Sequence, residues 1–152
     1  MNREEYLAWE KVIGAFMVRF SLVEFEVTRG LIDFTNDDFE NLKDLPFSKR
    51  VRKFKNNVCH MHLTYAKKKE LYRNLEKLDK LASVRNLIAH SPLLLSIRSL
   101  MEDRSEGEIQ SIRDPDVYLT KEDLSRHLED LRNQEDVLYE LLAEAGFSMA
   151  PT

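Results

Sequence analysis

Apolar residues recur at three- and four-residue steps along most of this chain, a period that builds helix and little else. The first run is the longest. Trp9, Ile13, Phe16, Phe20, Val27, Leu31 and Phe34 share one stripe and predict a helix over residues 4–34. Phe47, Val51, Phe54 and Val58 predict a second, starting near Pro46 or Ser48 because proline is tolerated in a first turn. Leu71, Leu75, Leu78, Leu81 or Ala82, and Ile88 predict a third over residues 65–89, stopped at Ser91-Pro92 because the residue before a proline avoids the α region. Leu124, Leu128, Leu131, Leu138 and Leu142 carry a fourth, with Thr120 as its cap, acids in its first turn, Gly146 as its terminator and a loose tail to Thr152. Gly14 and Gly30 fall inside the first run, where each costs helix propensity or marks a close helix contact.

Between the third and fourth helices the pattern changes. Leu93-Leu94-Leu95-Ser96-Ile97 and Ile109-Gln110-Ser111-Ile112 are short apolar runs around a polar stretch, and they read as a small hairpin or two extended arms. The expectation is an all-α chain: a single domain over residues 1–152, an up-and-down four-helix bundle with a small hairpin or extended excursion between its third and fourth helices. A chain of 152 residues, 43% hydrophobic, can bury one core without disulfides or a structural metal.

The formal net charge is −4, which argues against a protein that coats itself with nucleic acid through its overall charge and leaves room for a local basic patch. The lone Cys59 cannot close an internal disulfide and suits a reducing compartment. The opening Met1-Asn2-Arg3-Glu4-Glu5 lacks the apolar run of a signal peptide, and no stretch approaches the ~20 apolar residues of a membrane span. The expectation is a cytoplasmic protein with no membrane partner.

The end of the third helix holds the most informative residues, Arg85-Asn86-Leu87-Ile88-Ala89-His90. Residues of a helix advance about 100° each, so Asn86 and His90 share a face and Arg85 lies one step round. A helix C-terminus favours a cation, an imidazole can accept or donate a proton, and a guanidinium can hold a phosphate through two parallel hydrogen bonds. Together these are parts for cleaving a phosphodiester without a metal. The same residue types also occur as ordinary helix-end caps. Glu24 falls on the apolar stripe of the first helix, where a buried carboxylate needs a partner. Either it meets Arg85, Asn86 or His90 across the bundle, or Val23 is the core residue and Glu24 lies at the edge.

The segment Arg85 to His90 resembles the Arg-x(4–6)-His signature of the HEPN superfamily (higher eukaryote and prokaryote nucleotide-binding), of which a polar residue directly after the arginine, here Asn86, is a part. Phe20-Ser21-Leu22-Val23-Glu24 is similar to an aromatic-and-acid pattern common in such domains. The resemblance implies a metal-independent endoribonuclease, often a toxin or phage-defence effector, that works as a homodimer with two Arg/His pairs facing one cleft. It implies His90 as general acid/base, Arg85 on the scissile phosphate, Asn86 as orienting residue, and products ending in a 2′,3′-cyclic phosphate. Other members are non-catalytic interaction or nucleotide-binding modules, and an antitoxin or nucleotidyltransferase partner belongs to that alternative. A purely structural helical dimer is a third reading.

Lys49, Arg50, Arg52, Lys53 and Lys55 either track an RNA backbone or form the solvated face of an amphipathic helix, the preferred reading. Lys67-Lys68-Lys69 is treated alike. Cys59-His60-Met61-His62 lacks the second ligand pair that structural zinc requires, so no metal is assigned, and no phosphate-binding glycine loop or other cofactor motif appears.

Overall fold

A computed structural model describes residues 1–148. Helices dominate them: α1 (Arg3–Phe34), α2 (Phe39–Leu42), α3 (Phe47–Asn57) running into a 3-10 turn (Val58–His60), α4 (Tyr65–His90), α5 (Ile97–Met101) and α6 (Lys121–Ser148). Three short strands, β1 (Leu93–Leu94), β2 (Glu108–Gln110) and β3 (Tyr118–Leu119), lie between α4 and α6. The periodic stripes become the core. Trp9, Phe16, Phe20, Val27 and Leu31 of α1 are buried, as are Phe47, Val51 and Phe54 of α3, Leu71, Leu75 and Leu78 of α4, and Leu124, Leu131 and Leu138 of α6. Among the described residues no helix is long and apolar enough to cross a membrane.

The chain divides into two compact units that share the long helices. One takes residues 21–82 and the chain from residue 132, and is a helical bundle. A Cβ on Gly30 of α1 would stand 2.8 Å from the Phe54 ring of α3 and 3.4 Å from Leu142 of α6, which places α1 against both. Ser48 Oγ donates to Asp79 at 2.7 Å, joining α3 to α4, and Asn74 Nδ2 donates to the Gln134 carbonyl at 2.8 Å, joining α4 to α6. The Lys67–Glu144 and Asn74–Gln134 pairs run in opposite chain directions, so α4 and α6 are antiparallel. α1 and α6 are instead parallel neighbours, since Gly30 meets Leu142 and Phe34 meets Gly146. The alternation expected of an up-and-down bundle therefore holds for α4 and α6 but not for this pair.

The other unit takes residues 1–20 and 83–131 and contains the small sheet. β2 is central and antiparallel to both neighbours: Leu93 faces Ile109 and Leu94 faces Glu108 on one side, Ile109 faces Leu119 on the other. The indole Nε1 of Trp9 donates to the Glu106 carbonyl at 2.6 Å, fixing α1 to the turn before β2. Gly107 ends that turn at φ +74°, and a Cβ there would lie 2.7 Å from the Leu94 carbonyl oxygen, so only glycine fits. The cap expected at Thr120 forms as a reciprocal box: Asp123 N–H donates to Thr120 Oγ1 at 3.1 Å and Thr120 N–H to Asp123 Oδ2 at 3.3 Å. Burial pushes the Asp123 carboxyl up, but the Thr120 hydroxyl and amide and the Arg126 guanidinium outweigh it and hold the group below the usual aspartate value.

The expected extended excursion between α4 and α6 is present as a three-stranded antiparallel sheet, with a helix inserted that the pattern did not show. Several expectations need correction. Ile97 opens α5, where Ser96 Oγ accepts from Ser99 N–H at 3.0 Å as an N-cap, and Ile112 lies beyond β2. Gly146 does not terminate the last helix, which continues to Ser148. Gly146 is exposed and a Cβ on it would only touch the Phe34 ring at 3.9 Å, so the helix passes through a glycine that no left-handed turn requires. The expected tail lies, from residue 149, outside the described residues. Val23 rather than Glu24 is the fully buried member of the α1 stripe, and Glu24 is half-buried at its edge.

Candidate functional site

α4 ends at His90, as the Ser91-Pro92 stop requires. Arg85 is half-buried and its guanidinium lies over the Phe20 ring, 4.9 Å from the centroid. Its Nε donates to Asn86 Oδ1 at 2.9 Å. With Oδ1 taken, the amide nitrogen of Asn86 is the group left to donate outward. Asn86 and His90 are both exposed, one helical turn apart, and both line a pocket of about 650 Å³. Arg85 is not part of the lining. It stands behind Asn86 and orients it.

The opposite wall comes from the segment after β2. Ser111, Ile112 and Arg113 complete the pocket with Leu87 and Ser91. The excursion therefore flanks the Asn86–His90 face and leaves it open. The wall is held in place. Ser111 N–H donates to the Val117 carbonyl at 2.9 Å, and the Pro115 carbonyl accepts from Arg98 Nη2 at 3.0 Å and Gln110 Nε2 at 3.1 Å. Arg98 is itself anchored. Its guanidinium stacks on Tyr118 at 4.0 Å and lies 3.9 Å from Glu108, a fully buried carboxylate that also accepts from Ser96 Oγ at 2.6 Å and Arg104 Nη2 at 3.0 Å. Burial works against the Arg104 cation, but Glu108 and Glu102 outweigh it and hold the guanidinium above its usual range.

Among the expected site residues, the fold brings Arg85, Asn86 and His90 to one helix end. Glu24 belongs to the other unit, where it borders a separate shallow pocket with Ser21, Phe25, Thr28, Phe39, Lys43 and Arg50. The basic run is largely engaged within that unit. Arg50 donates to the carbonyls of Leu45 and Lys43 and to Thr28 Oγ1, Lys53 pairs with Asp37 at 2.7 Å, and Lys55 pairs with Glu76 at 3.4 Å and lies over the Tyr72 ring. Lys49 and Arg52 are its exposed members. Lys68 likewise donates to the Cys59 carbonyl at 2.7 Å. Among the described residues no group of three His, Cys, Asp or Glu side chains is placed to hold a metal. Sequence reasoning missed Ser111, Ile112 and Arg113, because only the turn back from β2 brings them beside α4.

No protein-family model, curated protein or solved structure matches the chain.

Proposed function

We propose that this chain is a metal-independent endoribonuclease of the HEPN type, acting in the cytoplasm as a homodimer. The observation that carries the reading is the placing of Asn86 and His90 in one open pocket with Arg85 bonded to Asn86 behind them. In this reading His90 removes the proton of a ribose 2′-hydroxyl. The freed oxygen attacks phosphorus, the bond from phosphorus to the 5′ oxygen breaks, and that oxygen leaves with a proton supplied by His90 of the partner subunit. The products are a 2′,3′-cyclic phosphate and a 5′-hydroxyl, so atoms and charge balance without a metal. Asn86 donates to a non-bridging phosphate oxygen, and Arg85 fixes Asn86 and adds its positive charge behind it. The homodimer draws support from Leu22, Phe25 and Ile32, apolar side chains that α1 leaves exposed where a second copy would cover them.

The test is incubation of the purified protein with total RNA in EDTA, beside His90→Ala and Arg85→Ala. Cleavage that yields 2′,3′-cyclic ends and is lost in His90→Ala supports the reading, and cleavage that survives both substitutions overturns it. The net charge of −4 favours a second reading, a non-catalytic module binding an antitoxin or nucleotidyltransferase partner, which predicts no cleavage and a stable complex.

A further inference from the structure

The pocket at the end of α4 has a wall that the helix motif does not supply. Its seven lining residues include no carboxylate, although the chain carries 27 Asp and Glu against 23 Lys and Arg. Three other surface pockets each include an acid: Asp33 in one, Glu70 in another, Glu24 in the third. Three of the polar side chains lining the α4 pocket, Asn86, Ser111 and Arg113, have donors to offer. Asn86 has its amide nitrogen to offer, because its oxygen already accepts from Arg85. Ser111 Oγ already accepts from the backbone amides of Arg113 at 3.2 Å and Asp114 at 3.3 Å, so its hydroxyl proton is the part left to give. The Arg113 guanidinium has no ion-pair or hydrogen-bond partner among the described residues, whereas Arg98 and Arg104 of the same unit are both committed to Glu108. Beside Arg113, Ile112 is 76% exposed, an apolar side chain at the mouth of a donor-rich pocket.

We propose that the loop Ser111-Ile112-Arg113 is the RNA-binding wall of this pocket, with Arg113 holding a phosphate of single-stranded RNA next to the one at His90 and Ile112 packing against a base. The choice of RNA as the polymer rests on the ribonuclease reading above. The preference for an anion rests on the donors alone. The volume of about 650 Å³ suits a nucleotide-sized group. The wall is also preorganised, since Arg98 and Gln110 hold it through the Pro115 carbonyl, so binding a phosphate there requires little ordering.

The experiment uses the full chain carrying His90→Ala, which keeps RNA intact. A short fluorescein-labelled single-stranded RNA of random sequence is titrated by anisotropy in EDTA over a range of salt. Arg113→Ala is expected to weaken binding roughly tenfold and to make the slope of log K against log salt shallower by about 0.7, the loss of one phosphate contact on a single strand. Ile112→Ser is expected to weaken binding severalfold with the slope unchanged, and Arg126→Ala, an exposed arginine paired with Asp123, to change neither. An unchanged slope in Arg113→Ala, affinity within twofold of the parent, or no RNA binding by the parent overturns the inference. Complete displacement of the RNA by millimolar uridine 3′-monophosphate overturns the RNA assignment in favour of a mononucleotide site. The two proposals fail separately. Protein that binds RNA through Arg113 and never cuts it sinks only the nuclease reading. Protein whose cutting needs His90 and ignores Arg113→Ala sinks only the wall.

Discussion

Arg85 Nε and Asn86 Oδ1 are 2.9 Å apart, so two consecutive residues of α4 act as one group. The bond matters because an amide can present either its oxygen or its nitrogen to a ligand. By donating to the oxygen, Arg85 leaves Asn86 facing the pocket as a donor, the polarity a phosphate needs. The Phe20 ring beneath the guanidinium keeps Arg85 in place.

The first prediction follows from that polarity. Asn86→Asp keeps the shape and the bond to Arg85 but turns the outward group into a second acceptor bearing negative charge. RNA cleavage, measured as kcat/KM in EDTA, is expected to fall about 100-fold or more, the scale for losing a donor to a developing anion. Thermal unfolding should be nearly unchanged, because Asn86 is exposed. Wild-type cleavage by this variant would remove Asn86 from the site.

The second concerns Glu108, which stands behind the pocket wall. Glu108→Gln leaves the Arg98 and Arg104 guanidinium groups without their shared carboxylate. The cost of breaking a buried pair is reduced here, since those arginine side chains are 26% and 19% exposed, and a loss of about 2 kcal/mol in urea unfolding is expected. Arg98 should then hold the Pro115 carbonyl less firmly, raising KM for RNA more than it lowers kcat. Unaltered stability would mean that Ser96 and solvent satisfy the two arginines without the charge.

These two residues also mark what the sequence could tell. Asn86 and His90 were readable because four residues make one helical turn, a relation internal to the helix. The α1, α3, α4 and α6 stripes were readable for the same reason. Glu108 was not, because it sits in a three-residue strand too short to show a period, and its partners Arg98, Arg104 and Ser96 come from around α5. Arg113 was equally silent: its position depends on Ser111, Pro115 and Val117 closing one loop. The sequence left Val23 and Glu24 as alternatives because Phe16, Phe20, Val27 and Leu31 define a stripe broad enough to include either, and packing alone decides that Val23 takes the fully buried place.

The third prediction separates two glycines of the same helix. A Cβ on Gly14 would meet nothing within 4 Å, whereas one on Gly30 would stand 2.8 Å from Phe54 Cζ and 2.9 Å from its Cε1. Gly14→Ala is expected to stabilise the protein by about 0.5–1 kcal/mol through helix propensity. Gly30→Ala is expected to destabilise it by about 1–3 kcal/mol, because a buried ring must shift. Chemical denaturation of both variants checks the sign, and stabilisation by Gly30→Ala would mean the α1–α3 contact yields freely.

The fourth decides what the basic run of α3 does. The Lys53 ammonium, 2.7 Å from Asp37, holds the Asp37 carboxyl below the usual aspartate value of 3.8; burial opposes it, and the Thr35 hydroxyl adds a lesser pull in the same direction as Lys53. A carboxylate depressed in the folded state contributes stability above its unfolded value and loses it as pH falls through the folded one. Lys53→Met should therefore be less stable than wild type above about pH 4, by roughly 0.5 kcal/mol because Lys53 is partly exposed. The two proteins should converge as the medium is made more acidic than the folded Asp37 value. The Thr35 hydroxyl, 3.1 Å from the other carboxylate oxygen, remains in the variant and keeps part of the depression. If Lys53 serves this pair, Lys53→Met leaves the affinity for RNA and its salt slope unchanged while the acid side of the stability curve flattens. A shallower slope with an unaltered stability curve would instead return α3 to the RNA backbone.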